Sequence, residues 1–287
     1  MSKTGPLNPP KPMLIERRDF ATNRELLDWL LDHGADINRT DTQRLDTGFN
    51  LAIGEKDFSL HLLNKVAAAG DIDLFDYLVS RGAQPSKSTA LHAACRCNDP
   101  ERSVAMIRHL LDVHHMDINS DNEDFRHFFH YAHDRGSPLC IAILQHNLPA
   151  VREFLQRGAD PDLPYGNPAS YAIDSNDSLP ALDLLLRAGA DPTRSLSSAV
   201  GKMSGPAVQR CLAFGADPGV GLREALDREE SRLRRIAEDA AFREGRPDLC
   251  DDEDTDADDN HEGIEIESKC RAIIDLLRTA SAAVSAA

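Results

Sequence analysis

Aromatic residues are scarce in this sequence: 5% of it, with a single Trp. Hydrophobic residues nevertheless reach 41%, mostly Leu, Ala, Ile and Val. That balance suits many small helix–helix contacts better than one aromatic-rich core, and 287 residues could form two compact domains or one elongated array. Basic residues are also in deficit. With 32 Lys and Arg against 48 Asp and Glu, the formal charge is −16, and this argues against nucleic acid, whose binding rests on a surplus of base. Ten of the acids and no Lys or Arg lie in residues 251–267, which leaves −6 for the remainder. No apolar run approaches the length of a membrane span, and the opening MSKTGPLNPPKP has none of the apolar run of a secretory signal. The six cysteines show no framework spacing, as in a protein of a reducing intracellular compartment, cytoplasmic or nuclear. Glycine-rich phosphate loops, nucleophile elbows and metalloprotease helices are missing too.

What the chain has is internal repetition. Gly-Ala-Asp recurs at Gly34–Asp36, Gly158–Asp160, Gly189–Asp191 and Gly215–Asp217, and Gly82-Ala83-Gln84 is a variant. Each follows an amphipathic run such as ELLDWLLDH or AVREFLQR, with apolar residues at helical spacing. The Gly sits where a helix needs a left-handed residue to stop, and the following Asp can bond the turning backbone. Upstream lies a shorter helical pattern, at 86–95, 136–143, 166–173 and 194–200. Ser or Asn followed by Pro opens two of these, one capping and the other fitting the first turn. Ala93, Ala94, Ala142, Ala172 and Ala199 leave room for a neighbouring helix.

Thr89-Ala90-Leu91-His92-Ala93-Ala94, Gly34-Ala35-Asp36-Ile37-Asn38 and the stretch 63–86 resemble the ankyrin repeat. The resemblance covers about residues 13–218. It implies an all-α solenoid of about six helix-turn-helix repeats with a degenerate C-terminal helical cap. It also implies that His92 ties down its turn, and that function is protein binding at the concave face, lined by first helices and β-turn fingers.

The spacing is irregular. Terminators fall at 36, 84, 117, 160, 191 and 217, so the steps run from 26 (191 to 217) to 48 (36 to 84), against about 33 in the family. Helical pairs must stack and keep their length, whereas projecting fingers tolerate insertion. Two fingers are enlarged, at 39–58 and 118–136, and the second holds Phe125, Phe128, Phe129 and Tyr131. These aromatics either fold back onto the stack or face a partner. The expected contacts with a protein partner are Phe125, Arg126, Phe128, His130 and Tyr131, with Arg96, Gln145, Tyr171 and Asp174 on the outward side of first helices. No cofactor, nucleic acid or membrane is expected, and the chain is expected to be a monomer. A rival reading is an atypical enzyme or small-ligand binder with a pocket between the enlarged fingers, using His127, His130, Asp134 and Tyr171.

Three groupings invite chemistry. His127, His130 and His133 lie three apart, with His109, His114 and His115 upstream. On a helix His127 and His130 share a face, but a polar surface stripe explains them as well, and no metal is expected. Cys95 and Cys97, two apart on a helix, point about 200° apart and do not share a tetrahedral metal easily; Arg96 and Cys97 lean to the concave side. Asp254, Asp256, Asp258 and Glu265 match positions of a calcium loop, but Asp259 and His261 stand where Gly and an aliphatic residue belong. This acidic stretch reads as a solvated loop.

The expected organisation is a disordered tail over 1–12 and the array over 13–218. Capping helices follow over 219–280, interrupted by a disordered acidic loop at 247–263, and then a flexible tail over 281–287. Gly219-Val220-Gly221 reads as a turn, and Leu222, Ala225, Leu226 and Leu233 as part of the first capping stripe.

Overall fold

Short polar residues and prolines set where the helices begin. The carboxylate of Asp71 accepts the Leu74 amide, that of Asp99 the Glu101 and Arg102 amides, and that of Asp191 the Thr193 amide. Asn147 and Ser204 cap the Ala150 and Ala207 amides in the same way. Pro100, Pro138 and Pro192 occupy first helical positions, where a missing N–H costs nothing.

A computed structural model describes residues 24–33, 37–38, 62–121, 136–163, 167–174, 179–245 and 256–286. The fold is all-α: among these residues there is no strand. The chain divides into two units, residues 1–133 and 134–287. The first contains α1 (Arg24–Asp32), α2 (Leu62–Ala69), α3 (Ile72–Ser80), α4 (Ala90–Ala94) and α5 (Pro100–Asp112). The second contains α6 (Pro138–Leu144), α7 (Leu148–Gln156), α8 (Pro168–Asp174), α9 (Leu179–Arg187), α10 (Pro192–Gly201), α11 (Gly205–Ala213), α12 (Pro218–Gly245) and α13 (Asp256–Ala286).

Consecutive helices pair as hairpins. In the second unit α6, α8, α10 and α12 pack in one row and α7, α9, α11 and α13 in another. In the first, α2 packs on α3 and α4, and α4 on α5. Helices of the first kind are enclosed: every residue of α4 is buried, as are Pro138–Ile143 of α6. Their small side chains, Ala90, Ala93, Ala94 and Ala142, allow that close approach. Helices of the second kind bury one stripe only, for instance Ala150, Val151 and Phe154 in α7, or Ala181, Leu182, Leu185 and Leu186 in α9.

The terminators repeat to the hydrogen bond. At Gly82, Gly158, Gly189 and Gly215 φ lies between 85° and 102°. Each Gly N–H donates to the carbonyl three residues back and the next Ala N–H to the one five back, all at 2.9–3.2 Å. This arrangement satisfies carbonyls that the helix end would orphan. Gly34 lies outside the described residues. The ending after α5 departs from the pattern: His115 takes the positive φ (50°), and the Met116 N–H reaches six residues back to Leu110. One extra residue is therefore accommodated there, and α5 has 13 residues where α3, α7, α9 and α11 have nine.

Several expectations need correction. Gly219–Gly221 is no turn but the first part of α12, and a Cβ on Gly221 would stand 2.7 Å from Leu196 Cδ2. The acidic loop expected at 247–263 ends sooner. Helix α13 starts at Asp256, so 256–263 are helical, because Asp is favoured at a helix's positive N-terminal end; residues 247–255 lie outside the described residues. The tail expected at 281–287 is helical as far as Ala286, as its alanines favour. Leu226 and Leu233, read as part of an apolar stripe, are exposed, while Ala225 is buried. There α12 is supported by its own ion pairs, Arg228–Glu224 (3.2 Å), Arg232–Glu229 (2.9 Å) and Arg234–Glu230 (3.1 Å).

Candidate functional site

The expected partner contacts are distributed unevenly over the described residues. Gln145 caps the C-terminus of α6 and is exposed; Tyr171, in α8 of the same unit, is half-buried. Arg96 follows α4 in the other unit and is also half-buried. Asp174 ends α8. Phe125, Arg126, Phe128, His130 and Tyr131 lie outside the described residues, as do His127, Asp134 and both enlarged fingers apart from residues 118–121 and 136. Cys97 does not lean outward as expected. It is buried, and a Cβ on Gly70 in the α2–α3 turn would lie 3.2 Å from its Sγ. His92 is buried within α4.

A recurring side-chain hydrogen bond links three of the terminators to the one that follows. Asn38, four residues after Gly34, accepts the Gln84 amide (2.8 Å) and donates to the Gly82 carbonyl (2.9 Å). Asp162, four after Gly158, accepts the Asp191 amide (2.7 Å). Thr193, four after Gly189, accepts the Asp217 amide (3.0 Å). Three different side chains at one repeat position thus bond the backbone of the next terminator. Each rung fixes the start of the segment that follows it.

At the other end of the hairpins, the second unit has a cleft of about 590 Å³. Ala172, Ile173, Leu179, Ile273 and Leu276 make it apolar, and Lys202 and Lys269 bring positive charge to it. Its size is that of a small-ligand pocket. The lining suits an apolar group carrying an anion.

Among the described residues, one grouping of metal-ligating side chains occurs, Asp76, His109 and His114. Asp76 Oδ1 accepts from His109 Nε2 at 2.7 Å and from His114 Nε2 at 3.0 Å. Burial pushes the Asp76 carboxyl up, but the two imidazole hydrogen bonds outweigh it and hold the group below its ordinary value. Of this cluster the sequence singles out His109 and His114 but not Asp76, and nothing in it marks the cleft. Their members are brought together from distant positions and share no motif.

No protein-family model matches the chain, and a comparison with curated protein sequences likewise finds no match.

Proposed function

We propose that the chain is an ankyrin-type repeat protein whose task is to hold another protein. The observation that carries this reading is the ladder at Asn38, Asp162 and Thr193. It anchors the residue that follows each of three terminators to the backbone of the next hairpin, so segments of unequal length start from fixed points. Binding residues are characteristically carried this way, on variable loops positioned by a rigid scaffold. The four matching glycine terminators and the two helical rows support the repeat itself. The contacts would be Phe125, Arg126, Phe128, His130 and Tyr131 of the second enlarged finger, with Arg96, Gln145, Tyr171 and Asp174.

The experiment is affinity capture from native extract, followed by a binding titration with the purified partner. Deleting residues 120–134 leaves the helical circular-dichroism signal intact and removes binding. Arg96→Ala weakens it about thirtyfold, the lower bound of a hot-spot cost, whereas Arg234→Ala in α12, outside the proposed contacts, leaves it unchanged. Undiminished binding by the deletion variant overturns the reading. If instead a small molecule binds and His127→Ala or His130→Ala abolishes a turnover, the rival enzyme reading takes its place.

A further inference from the structure

We propose that Asp76, His109 and His114 form a binding site for a divalent transition-metal ion, with Zn²⁺ the ion that best suits the donor set. The site is independent of the scaffold reading. It begins with the pattern of α3, where Leu74, Phe75 and Leu78 are buried and Asp76 is left facing out. In α5, Met106, Ile107 and Leu110 are buried, which sets His109 on the flank of the helix toward α3. His114 arrives by a different route. On a continued helix it would lie five residues and about 140° round from His109. The helix stops at Asp112, and the extra residue of this terminator, with His115 at φ 50°, returns His114 to the same carboxylate.

The result is a preorganised N₂O set. The ligand atoms Nε2, Nε2 and Oδ1 all lie within 4.8 Å of one another. The imidazoles stand edge to face with centroids 5.1 Å apart, and the His114 ring also packs on the fully buried Phe75 at 5.1 Å. The histidine side chains are only 16% and 12% exposed, whereas that of Asp76 is 47% exposed. Two imidazoles are thus held by the protein, and the carboxylate side is open to solvent. A tetrahedral zinc ion takes nitrogen and oxygen at about 2.0–2.1 Å, which puts ligands about 3.3 Å apart. The 2.7 and 3.0 Å separations need to open by about 0.6 and 0.3 Å to reach that spacing, and the exposed Asp76 carboxylate can make that adjustment.

Coordination requires no change in the ring skeleton. Each imidazole releases its Nε2 proton to solvent when the ion binds; a ring already charged keeps its Nδ1 proton, and a neutral ring takes one up at Nδ1 from solvent, so each Nε2 lone pair is freed for the ion. Water completes the tetrahedron, as in zinc sites with three protein ligands. Imidazole nitrogen with a carboxylate favours zinc, copper, iron or nickel over calcium and magnesium. The ion would cross-link α3 to the end of α5, a few residues before the enlarged finger that begins at 118.

The test uses the full chain, stripped with a chelator and titrated with Zn²⁺ by calorimetry at neutral pH. Co²⁺ absorption reports the coordination. One tight equivalent is expected, with the intense visible bands of tetrahedral Co²⁺. His109→Asn and His114→Asn keep polar groups at these positions; each should lower affinity by about a hundredfold or more, at least the cost of losing an outer-shell partner. The triple variant His127→Ala, His130→Ala and His133→Ala should bind as the parent does. Circular dichroism checks that every variant is folded. If either Asn variant proves unfolded, Asp76→Asn replaces it. Absence of a tight equivalent, or one that survives in folded His114→Asn, overturns the proposal. So does loss of the equivalent in the triple variant alone.

Discussion

The Asp162 carboxylate accepts the backbone N–H of Asp191 at 2.7 Å, and the Asp162 carbonyl accepts Arg194 Nη1 at 2.6 Å. One residue therefore ties two successive terminators together through its side chain and its backbone. Asn38 and Thr193 repeat the side-chain half of this arrangement with different chemistry. The position demands an acceptor at a given place, which Asp, Asn and Thr can all supply.

Removing a rung should therefore cost stability in proportion to the hydrogen bond lost. Asp162→Ala is expected to lower unfolding free energy by about 1.5 kcal/mol, the low end of the range for a bond to a charged group because this one is exposed. Thr193→Ala is expected to cost about 1 kcal/mol, and Thr193→Ser much less. Urea titrations followed by circular dichroism measure all three.

The glycines at the two kinds of turn should respond differently to a methyl group. Gly158 has φ 85° with nothing within 4 Å of a built Cβ, so Gly158→Ala meets backbone strain alone, about 1 kcal/mol. Gly158→Asn should cost less, because Asn tolerates the left-handed region. Gly70 has φ 66°, and its Cβ would stand 2.9 Å from Arg102 Cβ, so Gly70→Ala combines strain with a clash. Denaturation midpoints should fall in the order Gly158→Asn, Gly158→Ala, Gly70→Ala, the last being lowest.

Thiol reactivity should follow burial. Burial pushes the Cys211 thiol up to about 12. It pushes Cys95 up further still, against the opposing charge of Arg96. Cys270 is also raised, first by burial and then by Glu229, but it is half-buried and can be reached. Mild alkylation of the native chain should modify Cys270 before Cys95, Cys140 or Cys211, which react only on unfolding. Peptide mass spectrometry after timed labelling gives the order.

The Glu229–Arg232 pair on α12 should give a small acid-dependent stability. The hydrogen bonds of Arg232 lower the Glu229 carboxyl below its ordinary 4.5, and burial opposes this only in part. A lowered folded-state value stabilises above the unfolded-state value, and the contribution fades as pH falls through the folded one. Arg232→Ala should therefore cost up to about 1 kcal/mol at neutral pH, as for a pair near the surface. The difference should vanish well below pH 4.5. Urea midpoints of parent and variant across that interval test it.

Much of the local architecture was readable from neighbouring residues. Asp99-Pro100 and Ser137-Pro138 announce helix starts, and Gly158-Ala159-Asp160 announces a stop, because caps and left-handed residues are requirements of a few adjacent peptide units. Of the residues expected on the outward side of first helices, Gln145 is exposed and Arg96 and Tyr171 are half-buried. Cys97 lies away from the concave side expected of it because α4 ends at Ala94, before Cys97 can follow its helical register. Leu226 and Leu233 were misread because a stripe at helical spacing gives no sign of how far the neighbouring helix reaches.

By itself, then, the sequence determined the helices, their polar caps and the glycine that closes each hairpin, all matters settled within about one helical turn. Tertiary structure alone decided which distant side chains meet. Asn38 reaches Gln84 across 46 positions, and Asp76 receives His109 and His114 from 33 and 38 positions away. The cleft draws its lining from α8 to α13. Such meetings depend on how one helix is rotated against the next, and near His114 on a single extra residue in a turn. No local preference encodes that rotation, because it is the outcome of packing whole buried faces together.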